Sequence, residues 1–204
     1  MNANPTGLRH ELEIRRLIDG WAIWRDSFDW ERLRSVWHDD GRMVTLWWHG
    51  PRDEFIRLCR DAAERGAKVS HFLGGSVVDV LGHRAVAQTK VRIGQRALVD
   101  GVLCDVEASG RFYDFFECRD DKWGLVLRQP IYEHDRLSPV NPTETVQLDT
   151  ALLDNLPEGY RHLAYVQARM GFHIDLNMPG PCGSQADSLY ASGARWLRGA
   201  PLDR

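Results

Sequence analysis

Apolar residues recur every three or four positions at Leu8, Leu12, Leu17, Ile18, Trp21 and Trp24, which predicts a first helix with one buried face. Thr6, after Pro5, is a candidate cap for it. The pattern breaks at Asp26 and Ser27. Asp29 is then placed to cap a short helix carrying Leu33, Val36 and Trp37. HDDG at 38–41 reads as a turn and RMVTLWWHG as a short strand that stops at Gly50. Pro51 suits the first position of a third helix, which sets Phe55, Leu58, Cys59 and Ala62 on one face.

After residue 67 the period changes from helical spacing to two. KVSHFLGGSVVDVLG is a strand whose glycine pair, Gly74 and Gly75, admits a bend or bulge, and Gly82 with His83 makes a hairpin turn. Ala87, Thr89, Val91 and Ile93 alternate with Gln88, Lys90 and Arg92, as in a half-buried antiparallel strand. Strands around 100–117 and 123–134 follow, separated by the polar turn RDD, and Arg128 falls in register with apolar neighbours. Helices first and hairpin-linked strands afterwards predict an α+β domain whose sheet curls over the helices. LSPVNPTET is a connector. Beyond it GYRHLAYVQARMG is helical, MPGPCG is a rigid loop, and Ser184 with Asp187 resembles a capping box for a last helix ending near Leu197. Residues 1–140 therefore read as the domain and 141–204 as a helical C-terminal extension.

Composition narrows the function classes. The chain is 204 residues, 43% hydrophobic and 27% charged, enough for one sizeable core. Its net charge of -3 comes without a block of either sign, so no nucleic-acid footprint is announced. No apolar run resembles a secretory signal or a membrane span, and a cytoplasmic location is expected. Cys59, Cys104, Cys118 and Cys182 form no paired motif and read as free thiols. Six of the eight tryptophans lie between Trp21 and Trp48, where they either fill the core or line a cavity.

The histidines are not spaced as metal ligands, and neither a Gly-rich nucleotide loop nor GxSxG is present, so no metal and no cofactor are expected. What remains is a few polar residues in apolar surroundings: Asp26 closing the first helix, His71 in VSHFLGG, and Arg128 in the last strand. Each singly is explained as well by a structural role.

The segments IRRLIDGWAIWRDSFDWERLRSVWHDDGRMV, SHFLGG and DKWGLVLRQPIYEHDR resemble the NTF2-like superfamily, and within it the SnoaL-like members related to scytalone dehydratase and hexachlorocyclohexane dehydrochlorinase. The resemblance spans roughly residues 8–135. It implies an α+β cone, in which a strongly curved, mostly antiparallel sheet wraps the helices around a pocket, and a homodimer or homotrimer. It also implies that Asp26, His71 and Arg128 are catalytic. Trp21 stands where relatives carry a lysine or tyrosine that holds the leaving group.

Taken together, these residues suit removal of a proton from carbon: His71 as base, Asp26 fixing its tautomer, and Arg128 stabilising the developing anion. A cofactor-independent dehydratase-type lyase is expected, acting on a small aromatic or cyclic hydroxylated compound bound against Trp21, Trp24, Trp47 and Trp48. The alternatives are an isomerase or cyclase using the same pair, and a ligand-binding or assembly protein without turnover. Trp47 and Trp48, as neighbours on a strand, should face opposite ways, so that at most one lines the pocket.

Overall fold

A computed structural model describes residues 5–202. Helix α1 (Pro5–Asp26) is followed by α2 (Trp30–Arg34), β1 (Trp37–Val44), β2 (His49–Pro51) and α3 (Arg52–Glu64). Four long strands come next: β3 (Lys68–Leu81), β4 (Arg84–Val99), β5 (Val102–Arg119) and β6 (Lys122–Pro139). The C-terminal part adds α4 (Thr150–Leu153), a 3-10 turn (Glu158–Tyr160), α5 (Arg161–Arg169) and α6 (Ser184–Leu197).

The strands form one mixed sheet in the order β2-β1-β6-β5-β4-β3. Hairpins link β3 through β6, and their turns are built as the sequence implies: Gly82 has φ 61°, and Asp120 and Asp121 have φ 49° and 59°. β1 reaches the sheet from a helix rather than a hairpin, and it pairs with β6 in parallel. The strongly curved cone is not what these strands build. The sheet is open and neither strongly curved nor closed: among the described residues β2 pairs only with β1 and β3 only with β4. Sharp curvature needs bulges, and the irregularities are local, at Trp37/Arg42, Leu73/Ser76, Ser109/Gly110 and Phe115/Phe116. The central β4–β5 ladder has none from Arg84 to Val99.

Both faces of the sheet are used. On one, Ala85, Ala87, Phe112 and Phe116 pack with Ile14, Ile18 and Trp21 of α1 and Phe55 and Cys59 of α3. Farther along that side, Val106, Ala108 and Tyr132 pack with Tyr160, Leu163 and Val166. On the other face Val86, Tyr113, Phe115 and Ile131 meet Leu189 and Trp196 of α6. That explains the unbroken burial from Phe112 to Phe116, where alternate side chains enter different cores. Arg84 fastens α6 by donating to the carbonyls of Trp196 and Ala200 while lying 3.8 Å above the Trp196 ring. No helix among the described residues is long and apolar enough to cross a membrane.

Several local expectations are corrected. HDDG does not end the strand as a turn but lies inside β1 as a bulge between Trp37 and Arg42, where Gly41 is buried and a Cβ would stand 2.6 Å from the Trp37 ring. Thr6 lies within α1, which begins at Pro5. Pro51 caps α3 rather than starting it. The Ser184–Asp187 capping box does not form: Gly183 is the N-cap, and its carbonyl accepts from the Asp187 N–H. The buried stripe of α1 runs through Ile14, Ile18, Trp21, Ala22 and Arg25, leaving Leu8 and Leu12 exposed. Asp29 does cap α2, accepting from the Arg32 N–H.

Candidate functional site

The end of α1 and the start of β3 bring Asp26 and His71 together across the first core. One Asp26 oxygen accepts the His71 backbone N–H at 2.5 Å, and the other lies 2.8 Å from His71 Nδ1. Because the backbone group can only donate, Asp26 is held in one orientation, and the ionised carboxylate then requires hydrogen on Nδ1. Nε2 is left as the basic nitrogen, with no hydrogen bond to a described residue. The ring stands edge-on to Trp21 at 4.9 Å. Burial pushes the His71 pKa below its ordinary value, Asp26 pulls it back up, and the nearby charges of Arg25 and Arg128 push it further down. The balance favours the neutral imidazole, the form able to accept a proton.

His71 lines a cavity of about 60 Å³ whose walls include Trp21, Trp47, Phe55, Phe112 and Tyr132. Such a space holds a few water molecules, where ordinary small-molecule pockets run to roughly 300 Å³ and more, so a ring-sized ligand enters only if a wall residue moves aside. Trp47 is shared between this cavity and an open surface groove of about 560 Å³ lined by Trp48, His49 and residues 173–177. Trp47 and Trp48 lie in the loop joining β1 to β2, not on a strand, and only Trp47 reaches the cavity. Trp24 packs half-buried at the margin of the core and does not line it. Trp21 does, and its indole N–H has no hydrogen-bond partner among the described residues.

Arg128 is fully buried but stands apart from the cavity. Its Nε and Nη2 donate to the two oxygens of Asp114 at 2.7 and 2.6 Å, straight across the β5–β6 ladder. The guanidinium lies 4.5 Å from the Trp21 ring centre and 4.2 Å from that of Phe112, two of the rings that line the cavity. Asp114 was not anticipated, although its place opposite Arg128 on a buried stretch was a readable signal. Arg25 and Cys59 also line the cavity; Cys59 was expected on the buried face of its helix, and Arg25 was not anticipated. Arg25 is 7% exposed and continues the helical stripe four residues beyond Trp21. Burial pushes the Cys59 thiol up and its contact with Arg25 draws it back. A second histidine–carboxylate pair, His162 with Asp135 at 2.8 Å, anchors the start of α5, whose Leu163 and Gln167 cover the cavity. Among the described residues no three His, Cys, Asp or Glu side chains are grouped as metal ligands.

A SnoaL-like domain matches residues 6–129. The chain is 37% identical to a PEP2-like protein of Fusarium vanettenii, over 94% of this chain and 87% of that one. It is 36% identical to Pea pathogenicity protein 2 of the same organism, over 99% and 92%. Among solved structures, a putative scytalone dehydratase from Novosphingobium aromaticivorans superposes with a TM-score of 0.55 at 16% identity, covering 70% of this chain and 98% of that one. Hexachlorocyclohexane dehydrochlorinase LinA-type3 from Novosphingobium barchaimii gives 0.55 at 17% identity, covering 69% and 96%. The chain belongs to the SnoaL-like family of the NTF2-like superfamily, and its fold is related to those of scytalone dehydratase and LinA dehydrochlorinase.

Proposed function

We propose that the protein is a cofactor-independent lyase of the dehydratase type, acting on a small aromatic or cyclic hydroxylated compound with His71 as general base. The observation that carries the reading is the double acceptance by Asp26 of the His71 backbone N–H and ring Nδ1–H, which leaves Nε2 as the basic nitrogen of a residue that lines an aromatic-walled cavity. A neutral imidazole with a carboxylate behind it removes a proton from carbon and is stabilised as imidazolium.

In the elimination, Nε2 takes the proton from carbon and the C–H electron pair becomes the new C=C bond. The hydroxyl on the neighbouring carbon departs with its bonding pair and receives the proton back from the imidazolium, so that water leaves and the protein is unchanged. Trp21, with its unpartnered indole N–H, is the donor assigned to the departing oxygen. Arg128 is assigned as a positioning residue: it holds Trp21 and Phe112 from behind while bound to Asp114.

Incubation with a panel of cyclic hydroxy compounds, read by mass spectrometry, tests the proposal. A product lighter by one water, lost in His71→Ala, is expected. Unchanged turnover in His71→Ala refutes the base assignment, and a product of unchanged mass refutes elimination in favour of isomerisation.

A further inference from the structure

Arg25 sits on the buried stripe of α1, four residues after Trp21, and lines the His71 cavity. A guanidinium taken out of water is costly unless an anion accompanies it. The other deeply buried arginines obey that rule: Arg128 is paired with Asp114, and Arg52 with Asp39 and Asp53. Arg25 does not. Among the described residues no carboxylate lies within ion-pair distance of it; its neighbours are the Cys59 thiol and, at 5.9 Å, the face of Trp30. The adjacent Asp26 commits both oxygens to His71.

From these contacts we infer that Arg25 is the cation that meets the ligand, and that the ligand carries an acidic hydroxyl, a phenol or enol, bound as its anion. The inference rests on the proposed site and names its substrate class. Arg128, the cation expected from the sequence, is paired with Asp114 and does not line the cavity, so it is not placed to hydrogen-bond a bound oxygen. Arg25 has a cavity in front of it and no counter-ion behind. The Oε1 of Gln167 is buried without a partner on the same cavity, an acceptor suited to a second, un-ionised hydroxyl of the ligand, while Phe55, Phe112 and Trp47 supply flat apolar walls. A planar ring with one ionised oxygen satisfies both kinds of surface: area burial on the rings and a charge-assisted hydrogen bond from the guanidinium. For a base that makes carbanion character, the same cation stabilises the oxygen onto which that charge delocalises.

The test uses the full chain and 4-nitrophenol, whose phenolate is followed by visible absorbance, with nitrobenzene as the uncharged control. The wild-type protein is expected to bind the phenolate more tightly than nitrobenzene and to lower the apparent pKa of the bound phenol. Arg25→Met should weaken phenolate binding about 10- to 100-fold, the equivalent of one charge-assisted hydrogen bond, and Arg25→Lys should retain most of it. Nitrobenzene binding should stay within about twofold in both. Wild-type protein that does not prefer the phenolate overturns the inference without recourse to any variant. Equal loss of both probes in Arg25→Met overturns it too, as the mark of a packing role. The base assignment is separate: phenolate preference lost in Arg25→Met, together with full turnover in His71→Ala, would sink the lyase and leave the anion site standing. Unchanged phenolate binding in Arg25→Met, with turnover abolished in His71→Ala, would do the reverse.

Discussion

Replacing Asp26 by asparagine removes one charge and changes almost no volume, yet it should be more damaging than replacement by alanine. The carboxylate accepts two donors, the His71 backbone N–H at 2.5 Å and ring Nδ1–H at 2.8 Å. Asparagine offers one oxygen and one NH2. The backbone N–H cannot become an acceptor, so it takes the oxygen and the NH2 is left facing Nδ1. Nδ1 must then carry a lone pair, and the hydrogen moves to Nε2, the atom proposed to act as base. The wrong tautomer in a histidine–carboxylate pair costs about 10⁴-fold in rate, or about 5.5 kcal/mol of transition-state stabilisation. Alanine removes the orienting group but imposes no tautomer, so a loss of about 10²-fold is expected. The effect can be read without a substrate. Imidazole ¹⁵N shifts should show hydrogen on Nδ1 of His71 in the wild-type protein and on Nε2 in Asp26→Asn, with His71→Gln assigning the signal among the eight histidines. An Asp26→Asn protein that keeps hydrogen on Nδ1, or that outperforms Asp26→Ala in turnover, would refute the reasoning.

Four further outcomes are expected. The His71 pKa is depressed in the folded chain, so the neutral ring contributes stability above about pH 6.5 that is lost as pH falls through the folded-state value. The acid limb of kcat/KM should accordingly lie below about pH 6.5 and move lower still in Asp26→Ala, because Asp26 raises this pKa; a limb that moves upward would contradict the assignment. Arg128→Met should cost about 3–5 kcal/mol in denaturant unfolding by stranding Asp114, whereas the double change with Asp114→Leu should recover most of that loss; additive losses would show that the pair is not the unit. Gly110→Ala should destabilise by about 3 kcal/mol in the same assay, since its Cβ would lie 2.0 Å from the Ile131 carbonyl oxygen, and a stable Gly110→Ala protein would mean that the β5–β6 bulge yields easily. Trp47→Ala should join the cavity to the outer groove and speed 4-nitrophenol entry in stopped-flow fluorescence; an unchanged entry rate would place the route elsewhere.

How far the site was legible follows from the range of each physical signal. Asp26 and His71 were readable because each sits at an element boundary, one closing a helix and the other opening a strand, and the resemblance supplied the contact between positions 45 residues apart. The hairpins were readable because turn chemistry and period-two alternation act over a few residues. HDDG misled for the same local reason: its turn-like composition marks a bulge within β1, because Trp37 on one side and Arg42 and Met43 on the other pair with β6 and carry the strand across it. The helix face misled because leucine spacing alone does not say which of two overlapping stripes meets the core. The true stripe includes Ile14 and Ala22 and ends on Arg25, a charge that apolar counting skips.

That omission bears on the chemistry as well as on the fold. A sequence shows which residues carry charge but not which charges are already matched, because matching is decided across strands and between elements. Arg128 lies among apolar neighbours and looks available, yet Asp114 opposite it balances its charge and takes Nε and Nη2, leaving only Nη1 without a partner among the described residues. Arg25 adjoins an aspartate in sequence and looks paired, yet that aspartate is turned entirely to His71. Of the two buried guanidinium groups near His71, the unmatched one lines the cavity. The distribution of counter-charge therefore separates the arginine that holds the scaffold from the one left to meet an anion.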